Sequence, residues 1–256
     1  MGEHGVKSAE RALEILEFVS SVWHDGKRAK DICSSLDLPQ SSCSILLNNL
    51  VRLGYLYFDP LDKTYSATFR TGCLGLLSPA QFSAFKVATD HLNHLCAVTE
   101  ELCFIAQRNG PNLQYIMFQA HDNLNGSLPR VGLQRPLTQA ASGKVLLTFM
   151  KRDEVVGILR RNNYSSDGNC NISSDSLLSE LDAVRSQGFA SSDPKFTPGL
   201  IGYATWLVSE GGGMPYAIGT AISTRNDARK RELVKHELSM LASTSLHSCA
   251  AAPSSK

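Results

Sequence analysis

No stretch of this sequence approaches the roughly 18 uninterrupted apolar residues of a membrane span, so no membrane partner is expected. The N-terminus, MGEHGVKSAERALEIL, lacks the apolar core of a secretory signal. Charge of either sign is scarce in excess: 25 Lys and Arg against 24 Asp and Glu leave a net +1, which neither demands nor excludes nucleic acid. The seven cysteines, Cys33, Cys43, Cys73, Cys96, Cys103, Cys170 and Cys249, are odd in number, irregularly spaced and free of CxxC. That argues against a zinc or disulfide framework and for reduced, buried thiols in a cytoplasmic protein. His91 and His94 lie three apart near Cys96, but no further ligand cluster accompanies them, which favours packing over metal binding.

Catalytic patterns are missing as well. There is no GxSxG, no HExxH and no paired-carboxylate motif. Gly143-Lys144 is not a phosphate-binding loop, since Thr138 stands where a Gly is needed and Val145 where a Ser or Thr is needed. No metal, no cofactor and no enzymatic activity are expected.

What is present, in 256 residues of 43% hydrophobic content, suffices for one large domain or two modest ones. Residues 8–21 form a first helix, with Ala12, Leu13, Ile15, Leu16 and Val19 on one side and Ser8 as N-cap. Trp23 to Gly26 read as its turn. A second helix runs from about Ala29 to Leu36, and Asp37-Leu38-Pro39 is a short connection. A third spans Gln40 to Leu53, with Cys43, Leu46, Leu47, Leu50 and Leu53 as its apolar stripe and Gly54 at its end in the left-handed conformation. Then YLYFDPLDKTYSATF reads as a two-stranded hairpin turning at Asp59-Pro60-Leu61-Asp62. Three helices and this wing make a winged helix-turn-helix, assigned to residues 1–77.

Residues 78–100 read as a linker helix with Phe82, Phe85, Leu92 and Leu95 among its apolar positions. From 101 to 249 strands and helices alternate: hairpins LCFIAQRN/LQYIMFQA and GYATWLVSE/YAIGTAIST, a small-residue turn TQAASGK opening a helix, an amphipathic helix ending at Gly188, and a terminal helix. The polar stretch 162–176 reads as a loop and 250–256 as a disordered tail. The fold class is α+β, an antiparallel sheet covered by helices.

In this order of elements the chain resembles the IclR family of bacterial transcriptional regulators over nearly its whole length. The resemblance is carried by SAERALEIL, by ICSSLDLPQSSCSILLNNLVRLGYLYFDPLDKTYSA, by RVGLQRPLTQAASGKVLLTFM, and by VRSQGFASSDPKFTPGLIGYATWLV with YAIGTAIS. It implies a winged helix-turn-helix, a linker helix and a GAF-like effector-binding domain. It also implies regulation of genes by small metabolites, often organic or aromatic acids, and DNA binding as a homodimer or dimer of dimers.

The third helix would then enter the major groove of double-stranded DNA, offering Gln40, Ser41, Ser42, Ser44 and Asn48 to base edges. Lys27, Arg28, Lys30, Arg52 and Lys63 would meet phosphates. No charge occurs from Gln40 to Val51, and residues 1–78 hold eight Lys or Arg against nine Asp or Glu, a net of −1. This leaves an alternative open: a winged-helix protein-interaction module with weakened or lost DNA binding. By the same likeness, the effector pocket is lined by Arg135, Ala141, Ser142, Gly143, Trp206, Ala221 and Ser223. Arg135 would pair with an organic acid, the turn before Gly143 would offer backbone N–H groups to its carboxylate, and Trp206 would form an aromatic wall.

Overall fold

The structure is a computed structural model and describes residues 6–20, 26–74, 79–122, 129–165, 172–208, 214–225 and 228–250. The chain forms two compact units, Met1–Ser83 and Ala84–Lys256.

In the first unit, helices α1 (Lys7–Ser20), α2 (Ala29–Ser35) and α3 (Gln40–Arg52) bury one common core. Ile15, Leu16 and Val19 of α1 meet Ile32 of α2 and Cys43, Leu47 and Leu50 of α3. The first helix starts one residue before the expected cap, so Ser8 lies inside it, and Leu13 faces outward, 60% exposed. Between α2 and α3 the chain turns through Asp37 in the left-handed region (φ 51°), and the Leu38 N–H donates to the Cys33 carbonyl at 2.9 Å. The end of α3 is stopped by Gly54 at φ 76°. There the Tyr55 N–H reaches the Leu50 carbonyl and the Gly54 N–H the Val51 carbonyl, each at 2.9 Å. This Schellman arrangement satisfies carbonyls that the helix cannot, and only glycine adopts its angle without strain. Arg70 adds a bond of 2.7 Å to the Leu53 carbonyl and covers the Tyr55 ring.

The wing differs from the two-stranded expectation. Strands β2 (Leu56–Asp59) and β3 (Thr64–Ala67) pair as foreseen, but β1 (Lys27–Arg28) adds a third strand against β3. Gly26 permits this: a Cβ there would meet Thr64 Oγ1 at 2.4 Å. A short helix, α4 (Phe69–Cys73), follows the wing.

The boundary between the units falls inside α5 (Pro79–Thr99). The second unit is built on a six-stranded, wholly antiparallel sheet of order β6-β5-β4-β9-β8-β7. Its strands are β4 (Leu102–Asn109), β5 (Asn112–Gln119), β6 (Gln134–Pro136), β7 (Ala190–Ser191), β8 (Leu200–Leu207) and β9 (Tyr216–Ser223). Alternation sends Cys103, Ile105, Tyr203, Ile218 and Ile222 to one face, where Leu92 and Leu95 of α5 and Val234 and Leu238 of α9 (Ala228–Ala250) cover them. Phe85, expected in this stripe, is 54% exposed instead. The opposite face, with Ala106, Leu113, Ala204 and Ala217, is covered by α6 (Ala141–Leu147), α7 (Arg152–Ser165) and α8 (Ser174–Gln187).

The residues expected as a polar loop at 162–176 are partly helical. Asn162 is buried in α7 because both ends of its amide are used: Thr138 Oγ1 donates to Oδ1 and Nδ2 donates to the Pro111 carbonyl, each at 3.2 Å. Ser173 caps α8, accepting from the Ser176 N–H. The rest of that loop (166–171), the turns at 21–25 and 211–213, and the tail from 251 lie outside the described residues, and α9 runs one residue into the expected tail. Cys33, Cys43, Cys73, Cys96 and Cys103 are free thiols; burial pushes Cys43 and Cys103 up to about 12.

Candidate functional site

Two surfaces carry the expected site residues, one in each unit. On α3 the buried stripe of Cys43, Leu47 and Leu50 forces Gln40, Ser41, Ser44, Ile45, Asn48 and Asn49 outward. Ser42 is half-buried and sits beside this outward stripe. The five candidate cations are spread around it: Lys27 and Arg28 on β1, Lys30 on α2, Arg52 on the last turn of α3, and Lys63 in the wing turn at φ 54°. Lys27 is half-buried and the other four are exposed. None of the five forms an ion pair among the described residues, so each keeps its charge for something else.

In the second unit a cavity of about 250 Å³ opens between the sheet and the start of α6. Arg135, Ala141, Ser142 and Ala221, four of the residues expected at an effector site, line it. Ser142 is 1% exposed, and its hydroxyl makes no close hydrogen bond among the described residues, with the Tyr115 phenol as its polar neighbour. A buried hydroxyl short of a well-made hydrogen bond is one that a bound polar group would stabilise. Arg135 stands exposed at the rim, without an ion pair among the described residues.

Three expected residues do not reach this cavity. Gly143 packs on backbone: a Cβ there would lie 2.1 Å from the Leu137 carbonyl oxygen. Trp206 shares a strand face with Gly202, which does line the cavity, but it lies deeper along β8, in the core. Its indole packs edge-on against Phe149 at 5.8 Å and is 4% exposed. Ser223 sits at the end of β9, where its hydroxyl accepts from the Arg225 N–H.

The aromatic wall is made instead by Phe104, Tyr115, Phe118 and Phe196. Phe104 meets Tyr115 edge-on at 5.0 Å, and Tyr115 stacks on Phe118 at 5.3 Å. Simple alternation would put Tyr115 and Phe118 on opposite faces. A bulge prevents that: Ile105 pairs with Met117 and Ala106 with Tyr115, leaving Ile116 as the extra residue. Ile116 and Met117 both turn to the other face. Burial raises the Tyr115 pKa, although Ser142 and Arg135 beside it pull the other way, so the phenol stays protonated and can donate.

Beyond the Ser192–Phe196 segment lies a second, polar cavity of about 510 Å³. Lys144 reaches it from α6, 5% exposed, held by Glu180 at 2.5 Å and by the Ser191 carbonyl at 3.2 Å. Nothing in the sequence marks this pair, because its partners lie 36 and 47 residues away. Among the described residues no group of three His, Cys, Asp or Glu is arranged to hold a metal. His94 instead contacts Glu237 at 3.4 Å, joining α5 to α9.

Comparison with known proteins bears on both surfaces. The family model of the IclR helix-turn-helix domain matches residues 8–60, and that of the bacterial transcriptional regulator IclR C-terminal domain matches residues 80–252. The chain belongs to the IclR family. It is 28% identical over 165 residues to the HTH-type transcriptional regulator KdgR of Escherichia coli, an overlap of 64% of this chain and 62%, less than two thirds, of KdgR. The fold matches an IclR transcriptional regulator from Alicyclobacillus acidocaldarius with a TM-score of 0.64 at 19% identity, over 96% of this chain and 100% of the other. It also matches an IclR homolog from Microbacterium hydrocarbonoxydans solved in complex with 4-hydroxybenzoate, with a TM-score of 0.62 at 20% identity, over 94% and 99% of the two chains. Its IclR relatives are transcriptional regulators rather than enzymes, and no described helix is long and apolar enough to cross a membrane.

Proposed function

We propose that this IclR protein is a cytoplasmic, ligand-responsive transcriptional regulator. Its first unit binds a promoter operator and its second unit senses a small organic anion with an aromatic body. The observation that carries the sensing half is the buried Ser142 hydroxyl, beside the Tyr115 phenol, facing an aromatic-walled cavity with Arg135 at its rim. One cation suits one carboxylate, the rings of Phe104, Tyr115 and Phe118 suit a planar ring, and Ser142 suits a second polar group. The 4-hydroxybenzoate complex of the Microbacterium homolog supports that chemistry by analogy of fold.

Capture of sheared genomic DNA by the full chain, followed by sequencing, tests the DNA-binding half. Enrichment of a promoter-proximal site is the expected result. An absence of enrichment would favour the protein-interaction reading, which the net charge of −1 on residues 1–78 keeps in view.

On that operator the two sets of exposed residues should behave differently. Gln40→Ala, Ser44→Ala and Asn48→Ala should each cost about 1–3 kcal/mol on the cognate site and little on random DNA. Lys27→Ala or Lys63→Ala should weaken binding to all DNA and reduce the slope of log K against log salt by about 1. Anisotropy titrations at several salt concentrations measure both, and equal losses for the two classes on both DNAs would refute the division.

We further propose that the protein acts as at least a homodimer. Five dispersed cations are few for a single specific site, and joining two half-sites raises avidity by roughly a hundredfold or more. Light scattering at micromolar concentration should give at least twice the chain mass of 27.8 kDa; a monomeric mass would count against it.

A further inference from the structure

We infer that α3 reads an A·T-rich half-site, with Ile45 packed against a thymine methyl group. The inference rests on the operator-binding reading above. Its starting point is Ile45, 63% exposed and opposite the buried stripe of Cys43, Leu47 and Leu50. A lone exposed apolar side chain needs no explanation. Ile45 gains meaning from its neighbours on the same outward stripe: Ser41 four residues before it, Ser44 beside it and Asn48 three residues after. The small serines leave the isoleucine as the most projecting apolar group on that surface.

The chemistry of the stripe selects among base pairs. Guanine shows two acceptors, N7 and O6, in the major groove, and the commonest group that reads them is the fork of Arg or the ammonium of Lys. This helix has neither from Gln40 to Val51. Adenine shows an acceptor and a donor together, which the amides of Gln40 and Asn48 match. Thymine shows an acceptor and the C5-methyl group, the one apolar feature on a base edge, and Ile45 is the one apolar side chain exposed in the middle of α3. Lys27, Arg28, Lys30 and Lys63 supply the surrounding positive charge, unspent on ion pairs among the described residues. That charge complements phosphate better than it complements a second apolar protein surface.

The test uses the full chain and selects its binding sites from random duplex DNA. Each thymine of the recovered half-site is then replaced by uracil, which removes only the methyl group. The expected result is a motif rich in A·T pairs in which one uracil per half-site weakens the wild-type protein roughly three- to tenfold. Ile45→Ala should bind the thymine and uracil sites equally, since the exposed position tolerates the change without refolding. Selection with Ile45→Arg should move the same position toward guanine. A motif with G·C pairs at the α3 steps, or a uracil effect unchanged in Ile45→Ala, overturns the inference and leaves operator binding standing. Recovery of no DNA overturns both.

Discussion

Replacing Gly143 by alanine is expected to cost the second unit about 3 kcal/mol or more, a large share of the ~5–15 kcal/mol that keeps a domain folded. The new Cβ would stand 2.1 Å from the Leu137 carbonyl oxygen and 2.6 Å from two further backbone atoms of Leu137. Those atoms belong to the chain that leads from β6 into α6, so no side chain can rotate away to relieve the contact. Either α6 lifts from the sheet or the turn before it deforms, and both expose Leu147 and Val145, which are fully buried. Gly157, exposed in the middle of α7, provides the opposite sign. A Cβ there meets nothing within 4 Å, and Gly157→Ala should stabilise by about 0.5–1 kcal/mol through the unfolded chain. Urea unfolding followed by Trp206 fluorescence in a Trp23→Phe background reads both. A Gly143→Ala protein within 1 kcal/mol of its parent would mean that α6 is not seated on Leu137.

Ser142→Leu should abolish effector binding while leaving operator binding intact. The side chain is 1% exposed and lines the cavity, so the three carbons added in place of the hydroxyl oxygen fill the proposed ligand space. Because a buried enlargement can also disturb folding, Ser142→Ala and Arg135→Gln complete the experiment. With 4-hydroxybenzoate as the probe, calorimetry should show losses of roughly tenfold for each. Ser142→Ala removes a hydrogen bond to a polar group, and Arg135→Gln removes a charge-assisted pair that the exposed rim partly screens. Benzoate, which lacks the hydroxyl, should distinguish them: its affinity falls in Arg135→Gln and stays unchanged in Ser142→Ala. Unchanged affinity of 4-hydroxybenzoate in all three variants would move the pocket elsewhere. For the ligand to switch transcription it must also bind the DNA-bound and DNA-free forms unequally, since equal affinity shifts no population.

Much of the first unit was legible because its signals are local. The stripe Cys43, Leu47, Leu50 repeats at helical spacing, and Leu53-Gly54-Tyr55 carries its own stop chemistry. Strand β1 was not legible, since two residues hold no period and their pairing depends on Gly26 fitting against Thr64. In the second unit, Asn162 disguised the end of α7: asparagine near serine reads as loop until distant groups at 111 and 138 satisfy its amide. The cavity split along the same line. Arg135, Ala141, Ser142 and Ala221 came from segments whose order the sequence displays, whereas Phe104, Tyr115 and Phe118 converge only through strand pairing and a bulge. Trp206 shares the cavity's strand face but not its depth along the strand, a difference that alternation in sequence does not reveal.

The bulge at Ile116 separates two properties that are usually inherited together. Removing that one residue would leave Tyr115, Met117 and Phe118 facing as they do now, since they would then alternate without interruption. The strand would lose the local bend and added twist that an unpaired residue imposes. The same aromatic side chains would line a hollow of different curvature. In a lineage of such regulators, a three-base deletion could therefore alter which molecule is recognised without exchanging a single residue that touches it.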